Sequence, residues 1–217
     1  MPNTIIINAS PRKGWNTAQL LKEAKKGAES TGADVEYADL YDLSFTGCHS
    51  CLACKAEGSY KNKCFWKDDL SPLIDRILRS DSVIIGTPIY FGEPTSGFRA
   101  LIERLLFCVL SYEVDGDGSY YDGSLNVGII YTMNAPRAYY ESTLRNSLEH
   151  TEGIIKMLLK GNVMTYGSCN TLQVDDYSKY RMSIFSETAK KSYHDNQFPI
   201  DMQEAYKLGA EISSATQ

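Results

Sequence analysis

The chain has 217 residues, 43% of them hydrophobic and 23% charged, with 16 Gly and 7 Pro, a globular composition that excludes disordered, collagen-like and coiled-coil classes. At roughly 150 residues per domain a single domain spanning 1–217 is expected, and a chain this long buries about 70% of its unfolded surface, so it needs no disulfide staples. The net charge of −5, from 22 basic against 27 acidic residues, leaves no basic excess to neutralise a phosphate backbone, so no nucleic-acid partner is expected.

Ile5, Ile6 and Ile7 form a β-branched run that ends in a polar loop, and the apolar spacing of Ala18, Leu21, Ala24 and Ala28 predicts a helix over 17–30. A weaker strand follows at 35–40. Asp68 and Asp69 open a helix that runs to about residue 79, with Leu70, Leu73, Ile74, Ile77 and Leu78 on its apolar face. Residues 82–86 read as a third strand, 87–95 as a loop, 96–109 as a helix, and 110–124 as a tyrosine-rich insertion containing Tyr112, Tyr120 and Tyr121. A fourth strand at 126–131, a loop at 132–136, a helix at 139–159 and a fifth strand at 162–166 come next. Two helices complete the chain, at 179–193 and 202–213, separated at Pro199.

Three of the strands are apolar without alternation, which is the pattern of a parallel sheet covered on both faces. Five βα units in this length give an open doubly wound α/β sheet, because a closed eight-stranded barrel needs about 250 residues. Ligand is then expected at the carboxyl ends of the strands. No apolar run approaches the roughly 18 residues of a membrane span and no cleavable leader pattern is visible, so a soluble cytoplasmic protein with no membrane partner is expected.

Three loops meet at that edge. Residues 8–17 carry Ser10, Arg12, Lys13, Asn16 and Thr17, which with the N–H groups at a helix start make a phosphate cradle. The loop matches neither the GxxxxGK[ST] nor the GxGxxG pattern, and the bland alternative is a polar loop whose Asn16 or Thr17 caps the helix. Residues 86–95 offer backbone groups and the rings of Tyr90 and Phe91 to a planar heterocycle, although aromatic residues at strand ends also serve as core. Residues 132–136 close the third side.

Cys48, Cys51, Cys54 and Cys64 place four thiols within 17 residues, in the segment 44–67. Two-residue spacings suit a [4Fe–4S] cluster, a zinc site with His49 nearby, or metal-free thiols that form redox pairs. Cys108 and Cys169 read as buried small hydrophobes, His150 and His194 as solvated or core residues, and Trp15 and Trp66 as packing residues.

Taken together, residues 8–17 (Asn-Ala-Ser-Pro-Arg-Lys-x-x-Asn-Thr), the cysteines that lead to Asp68, Asp69 and Leu70, residues 86–92 (Gly-Thr-Pro-Ile-Tyr-Phe-Gly) and the late Phe198, Pro199 and Asp201 resemble the flavodoxin-like NAD(P)H-dependent FMN reductases. The branch that contains the iron-sulfur flavoproteins is the nearest in appearance. The resemblance implies a three-layer sandwich with a five-stranded parallel sheet in the order 2-1-3-4-5. It also implies that Ser10, Arg12, Lys13, Asn16 and Thr17 hold the phosphate of FMN, that Pro88, Ile89, Tyr90, Phe91 and Gly92 line the isoalloxazine, and that Thr132, Met133 and Asn134 close its other edge. NAD(P)H would then reduce FMN, which would pass electrons to a quinone, a flavin, another small-molecule acceptor or a redox partner protein. No protein acid or base is required for that step, so no catalytic residue is expected. A homodimer or homotetramer is implied. The alternative is an electron-transfer or redox-sensing flavoprotein without nicotinamide turnover, and a third is a regulatory binding protein that uses the fold without flavin turnover.

Overall fold

The computed structural model describes residues 1–58 and 61–214; Ser59 and Tyr60 of the cysteine segment and the last three residues of the chain lie outside the described residues. In chain order the elements are β1 (Asn3–Asn8), α1 (Asn16–Ser30), β2 (Asp34–Asp39), α2 (Leu70–Ile77), β3 (Ser82–Tyr90), β4 (Glu93–Pro94), α3 (Ser96–Val109), β5 (Leu125–Thr132), α4 (Arg137–Tyr139), α5 (Arg145–Leu159), β6 (Lys160–Ser168) and α6 (Glu187–Ser214). Five strands run parallel in the order β2-β1-β3-β5-β6, and β4 pairs antiparallel with the end of β3. The sheet therefore has six strands where the sequence suggests five, and the extra one is the two-residue β4.

Side chains on a strand alternate between faces, so a run that is apolar at every position feeds two cores. Ile5 and Ile7, Val83 and Ile85, and Val127 and Ile129 pack with α2, α3 and α5 on one face. Ile6, Ile84 and Ile130 pack on the other with Leu20, Leu21 and Ala24 of α1 and Leu208 and Ile212 of α6. Gly128 is the exception in β5, because a Cβ there would lie 2.7 Å from Leu208 Cδ2. The two helices of the second face touch through backbone: a Cβ on Gly27 would meet the Tyr206 carbonyl oxygen at 2.0 Å, and one on Gly209 would meet that of Ala24 at the same distance. This contact holds α1 against the sheet and aims its first turn at the carboxyl ends of β1 and β5.

Three expectations need correction. The third strand continues to Tyr90, because Thr87 and Pro88 stay in register with Tyr131 and Thr132 of β5; most of the expected loop is strand. The helix expected over 139–159 begins at Arg137 and contains a π turn at Tyr140–Leu144. The two last helices are one, α6, with Pro199 inside it, and residues 180–186 lie before it. An interior proline costs about 3 kcal/mol, but burial on both sides of it resists a break. Phe198 belongs to the second core, and the Asp201 carboxylate accepts hydrogen bonds from Tyr166 Oη at 2.8 Å, Gln197 Nε2 at 2.8 Å and the Ser168 hydroxyl. Among the described residues no helix is long and apolar enough to cross a membrane.

Candidate functional site

The register Asn8 to Gly86 and Pro88 to Thr132 brings the carboxyl ends of β1, β3 and β5 to one edge. Asn8 fixes the first loop: its Nδ2 donates to Asp39 Oδ1 at 2.7 Å and its Oδ1 accepts from the Ser10 N–H at 3.1 Å. Ser10 Oγ in turn accepts from the Arg12 N–H at 3.2 Å. The Arg12 guanidinium lies 4.0 Å over the Trp15 ring and donates to the Gln173 carbonyl at 2.5 Å. Helix α1 then starts with no side-chain cap and no acidic residue in its first turn, which leaves its positive end available to an anion. Neither Asn16 nor Thr17 serves as the cap. Asn16 Nδ2 donates to the Leu172 carbonyl at 2.7 Å, and the Thr17 hydroxyl bonds that of Thr132 at 2.7 Å.

The second loop is tied to the first. Thr95, the N-cap of α3, accepts from Phe98 N–H at 3.3 Å, and its hydroxyl donates to the Ala9 carbonyl at 2.7 Å. The third loop is held by a segment that the sequence did not mark. Met133 N–H donates to the Ser168 carbonyl at 2.9 Å, and the Met133 carbonyl accepts from Thr171 N–H at 3.0 Å and Thr171 Oγ1 at 3.1 Å. Residues 171–174, with Tyr180 and Met182, thereby become a fourth wall.

These four walls enclose a cleft of about 450 Å³, within the size range of ligand sites. Ser10, Arg12, Asn16, Thr17, Pro88, Ile89, Tyr90, Thr132, Met133 and Asn134 line it. Three other expected site residues lie outside. Lys13 pairs with Asp42, Phe91 has a left-handed backbone (φ 54) and a wholly exposed ring, and Gly92 (φ 89) completes the turn into β4. Ser10, Arg12 and the start of α1 give the cleft a polar part; Pro88, Ile89, Met133, Leu172 and Val174 add apolar surface beside Thr132, Asn134, Thr171 and Gln173. Burial pushes the Tyr90 phenol up, helped by Tyr41, with Arg12 opposing. The buried Gln173 Oε1 has no partner among the described residues, so the wall offers an unused acceptor to a ligand hydroxyl or N–H.

Lys190 of α6 also escaped the sequence reading, since a lysine near a helix start gives no signal of burial. Its ammonium bonds the Oδ1 of cleft-lining Asn134.

The cysteine segment forms a separate recess. Cys48, Cys51, Cys54 and Cys64 all line it, together with His49, Trp66 and Arg104. Cys48 and Cys51 are exposed while Cys54 and Cys64 are half-buried. His49 is engaged, stacked on Trp66 at 3.8 Å and hydrogen-bonded to Thr46 Oγ1 at 2.6 Å. Arg104, whose side chain is 1% exposed, reaches in from α3: Nη1 pairs with Asp68, and Nη2 donates to Ser71 Oγ at 2.6 Å and to Cys64 Sγ at 3.4 Å. For Cys54, burial raises the thiol pKa, the Lys55 charge opposes it, and Cys64 and Cys51 add to the rise. Among the described residues no three His, Cys, Asp or Glu side chains are grouped so as to hold a metal ion. The four cysteines expected as a ligand set thus share one recess, with Cys48 and Cys51 exposed and Cys64 bonded to the Arg104 guanidinium. Cys108 and Cys169 are buried, as read from sequence.

A family model described as NADPH-dependent FMN reductase matches residues 2–120. An iron-sulfur flavoprotein of Methanocaldococcus jannaschii is 33% identical over 98 residues, 45% of this chain and 49% of that protein. One of Clostridioides difficile is 29% identical over 168 residues, 64% of this chain and 73% of that protein. The chain spans about half the length of the first curated relatives it matches. Among solved structures, an NAD(P)H:quinone oxidoreductase from Methanothermobacter marburgensis superposes with a TM-score of 0.73 at 15% identity, covering 100% of this chain and 99% of that one. An azoreductase from Bacillus anthracis superposes with a TM-score of 0.68 at 12% identity, covering 97% and 100%. At such identities the structural likeness establishes the flavodoxin-like fold and nothing finer.

Proposed function

The chain belongs to the NADPH-dependent FMN reductase family, and from that premise we propose that the four-walled cleft binds FMN and that the protein is an NAD(P)H-dependent flavin oxidoreductase. The observation that carries the reading is the pairing, in one cleft, of an uncapped helix start beside Ser10 and Arg12 with apolar walls at Pro88, Ile89 and Met133. A phosphate fits the first and a planar ring the second.

Ser10, Arg12, Asn16 and the first N–H groups of α1 hold the phosphate, with Thr17 and Thr132 at its side. Arg12 supplies charge and, through its bond to the Gln173 carbonyl, ties the phosphate end to the fourth wall. Gln173 Oε1 accepts from a hydroxyl or N–H of the ligand. Pro88, Ile89 and Tyr90 pack on the ring, while Met133 and Asn134 meet its other edge. Tyr180 and Met182 complete the lining beside the fourth wall. Bound FMN supplies the reactive atom that accepts hydride from a nicotinamide and yields electrons to a small-molecule acceptor such as a quinone or flavin. The chain's part is binding and orientation, with no protonating side chain required. The reading rests on the cleft alone and routes no step through the cysteine recess. We take residues 1–217 as one domain that works as a cytoplasmic homo-oligomer, with the exposed Phe91 beside cleft-lining Tyr90 as a surface for a second copy.

The test is a titration of FMN followed by anaerobic addition of NADPH or NADH. FMN binding and bleaching of the band near ~450 nm are expected. The Arg12→Ala variant loses a charge-assisted bond of about 1.5–3 kcal/mol, so its FMN Kd rises about 10- to 150-fold. Failure of the wild type to bind FMN refutes the reading; binding without bleaching by either nucleotide replaces it with an electron carrier.

A further inference from the structure

Lys190 sits in the first turn of α6 and is only 6% exposed. Its ammonium donates to Asn134 Oδ1, to Asn170 Oδ1 at 2.5 Å and to the Asn170 carbonyl at 3.0 Å. Three acceptors thus match its three protons, and all three are neutral. Asn170 is held for this purpose in a left-handed backbone, φ 53, with its N–H on the Ala135 carbonyl at 2.8 Å. Asparagine is one of the few non-glycine residues that adopt that region readily. The Phe185 ring lies 5.7 Å from its Nζ, and among the described residues no carboxylate forms an ion pair with it; burial pulls the Lys190 pKa down, to about 8.

The consequence reaches the cleft through Asn134. A carboxamide presents an oxygen on one side and an N–H2 group on the other, and its orientation is read from its partners. An ammonium only donates, so the atom it touches is the oxygen. The N–H2 group is what Asn134 has left for a ligand. A buried cation without a counter-anion is costly unless a bound partner brings negative charge.

We propose that Lys190 is a positioning residue that locks the Asn134 carboxamide with its N–H2 group offered to the acceptor edge of the ring in the cleft, and that its uncompensated charge favours that ring in its reduced, anionic form. The inference rests on the FMN reading above. Hydride from the nicotinamide delivers two electrons and one proton to the neutral ring, which leaves one negative charge on it, and that charge is what the ammonium stabilises. A unit charge within about 12 Å acting through an effective dielectric near 20 changes the affinity for a singly charged form about tenfold.

The experiment measures the Kd of oxidised FMN and the midpoint potential of bound FMN, which together give the Kd of the reduced form. In Lys190→Met the Kd of reduced FMN is expected to rise about tenfold more than that of oxidised FMN, so the potential falls; Lys190→Arg restores most of it. Asn134→Asp, which puts a carboxylate on the ammonium and keeps the site paired, is expected to shift the ratio in the same direction, and it serves if the methionine variant does not fold. If wild type binds FMN and these variants leave the ratio unchanged, the role of Lys190 is refuted while the FMN reading stands. If wild type binds no FMN, both fall.

Discussion

The bond between Thr17 and Thr132 joins the first turn of α1 to the end of β5, and its removal has a calculable cost. The two hydroxyl oxygens are 2.7 Å apart and the residues are 2% and 3% exposed. Thr17→Val keeps the branched shape and replaces the hydroxyl by a methyl group, so Thr132 is left buried without its partner. An orphaned buried hydroxyl costs about 1–3 kcal/mol, which for a chain of this length lowers Tm by roughly 2–4 °C per kcal/mol. Valine at both positions removes the orphan and is expected to recover most of that loss. Equilibrium unfolding in urea, without FMN, on the two single variants and the double variant gives the coupling energy directly. Costs that simply add, within about 0.5 kcal/mol, would refute the bond. The same set separates stability from binding: whichever hydroxyl accepts keeps its proton for the ligand, so the double variant, though stable, should bind FMN about tenfold more weakly.

Gly209→Ala places a Cβ 2.0 Å from the Ala24 carbonyl oxygen and 2.8 Å from Ala24 Cα, so α1 and α6 must separate; overpacking of this kind costs about 1–3 kcal/mol, against a helix-propensity gain of about 1 kcal/mol. Thermal unfolding should show a net loss, and a stabilised variant would mean that the helices do not touch there. Arg104→Met leaves Asp68, among the described residues, with the N–H groups of Leu70 and Ser71 at 3.1 and 3.3 Å, a loss at the lower end of about 3–5 kcal/mol. Burial raises the Asp68 carboxyl, but Arg104 outweighs it and holds the pKa below the usual carboxylate value. The stabilisation is therefore complete above the ordinary carboxylate range and disappears as pH falls through the lowered value. The variant's acid unfolding midpoint is expected at higher pH, and an unchanged midpoint in a circular-dichroism titration would count against the pair.

Much of the fold was legible because parallel strands buried on both faces lose alternation, and Ile5, Ile6 and Ile7 need no partner in view to show it. Helix α3 was legible to its end residues, since Thr95 is a good cap and the apolar spacing after it is regular. The length of β3 was not, because Gly86, Thr87 and Pro88 are turn formers, and only pairing with β5 keeps them extended. Pro199 marked a break for the same reason: a local rule met burial of Phe198 and Asp201 that no local window contains.

The site divides along the same line. Residue type and strand order fixed which loops gather at the carboxyl edge, since in a doubly wound sheet the βα turns must end there, and that placed Ser10, Arg12, Pro88 and Thr132 together. Tertiary structure alone turned Lys13 and Phe91 away, brought residues 171–174, Tyr180 and Met182 to the cleft wall, buried Lys190 against Asn134, and set Arg104 among the cysteines. These are contacts between segments far apart in the chain. Their energies depend on distance and burial, which spacing along a sequence does not encode.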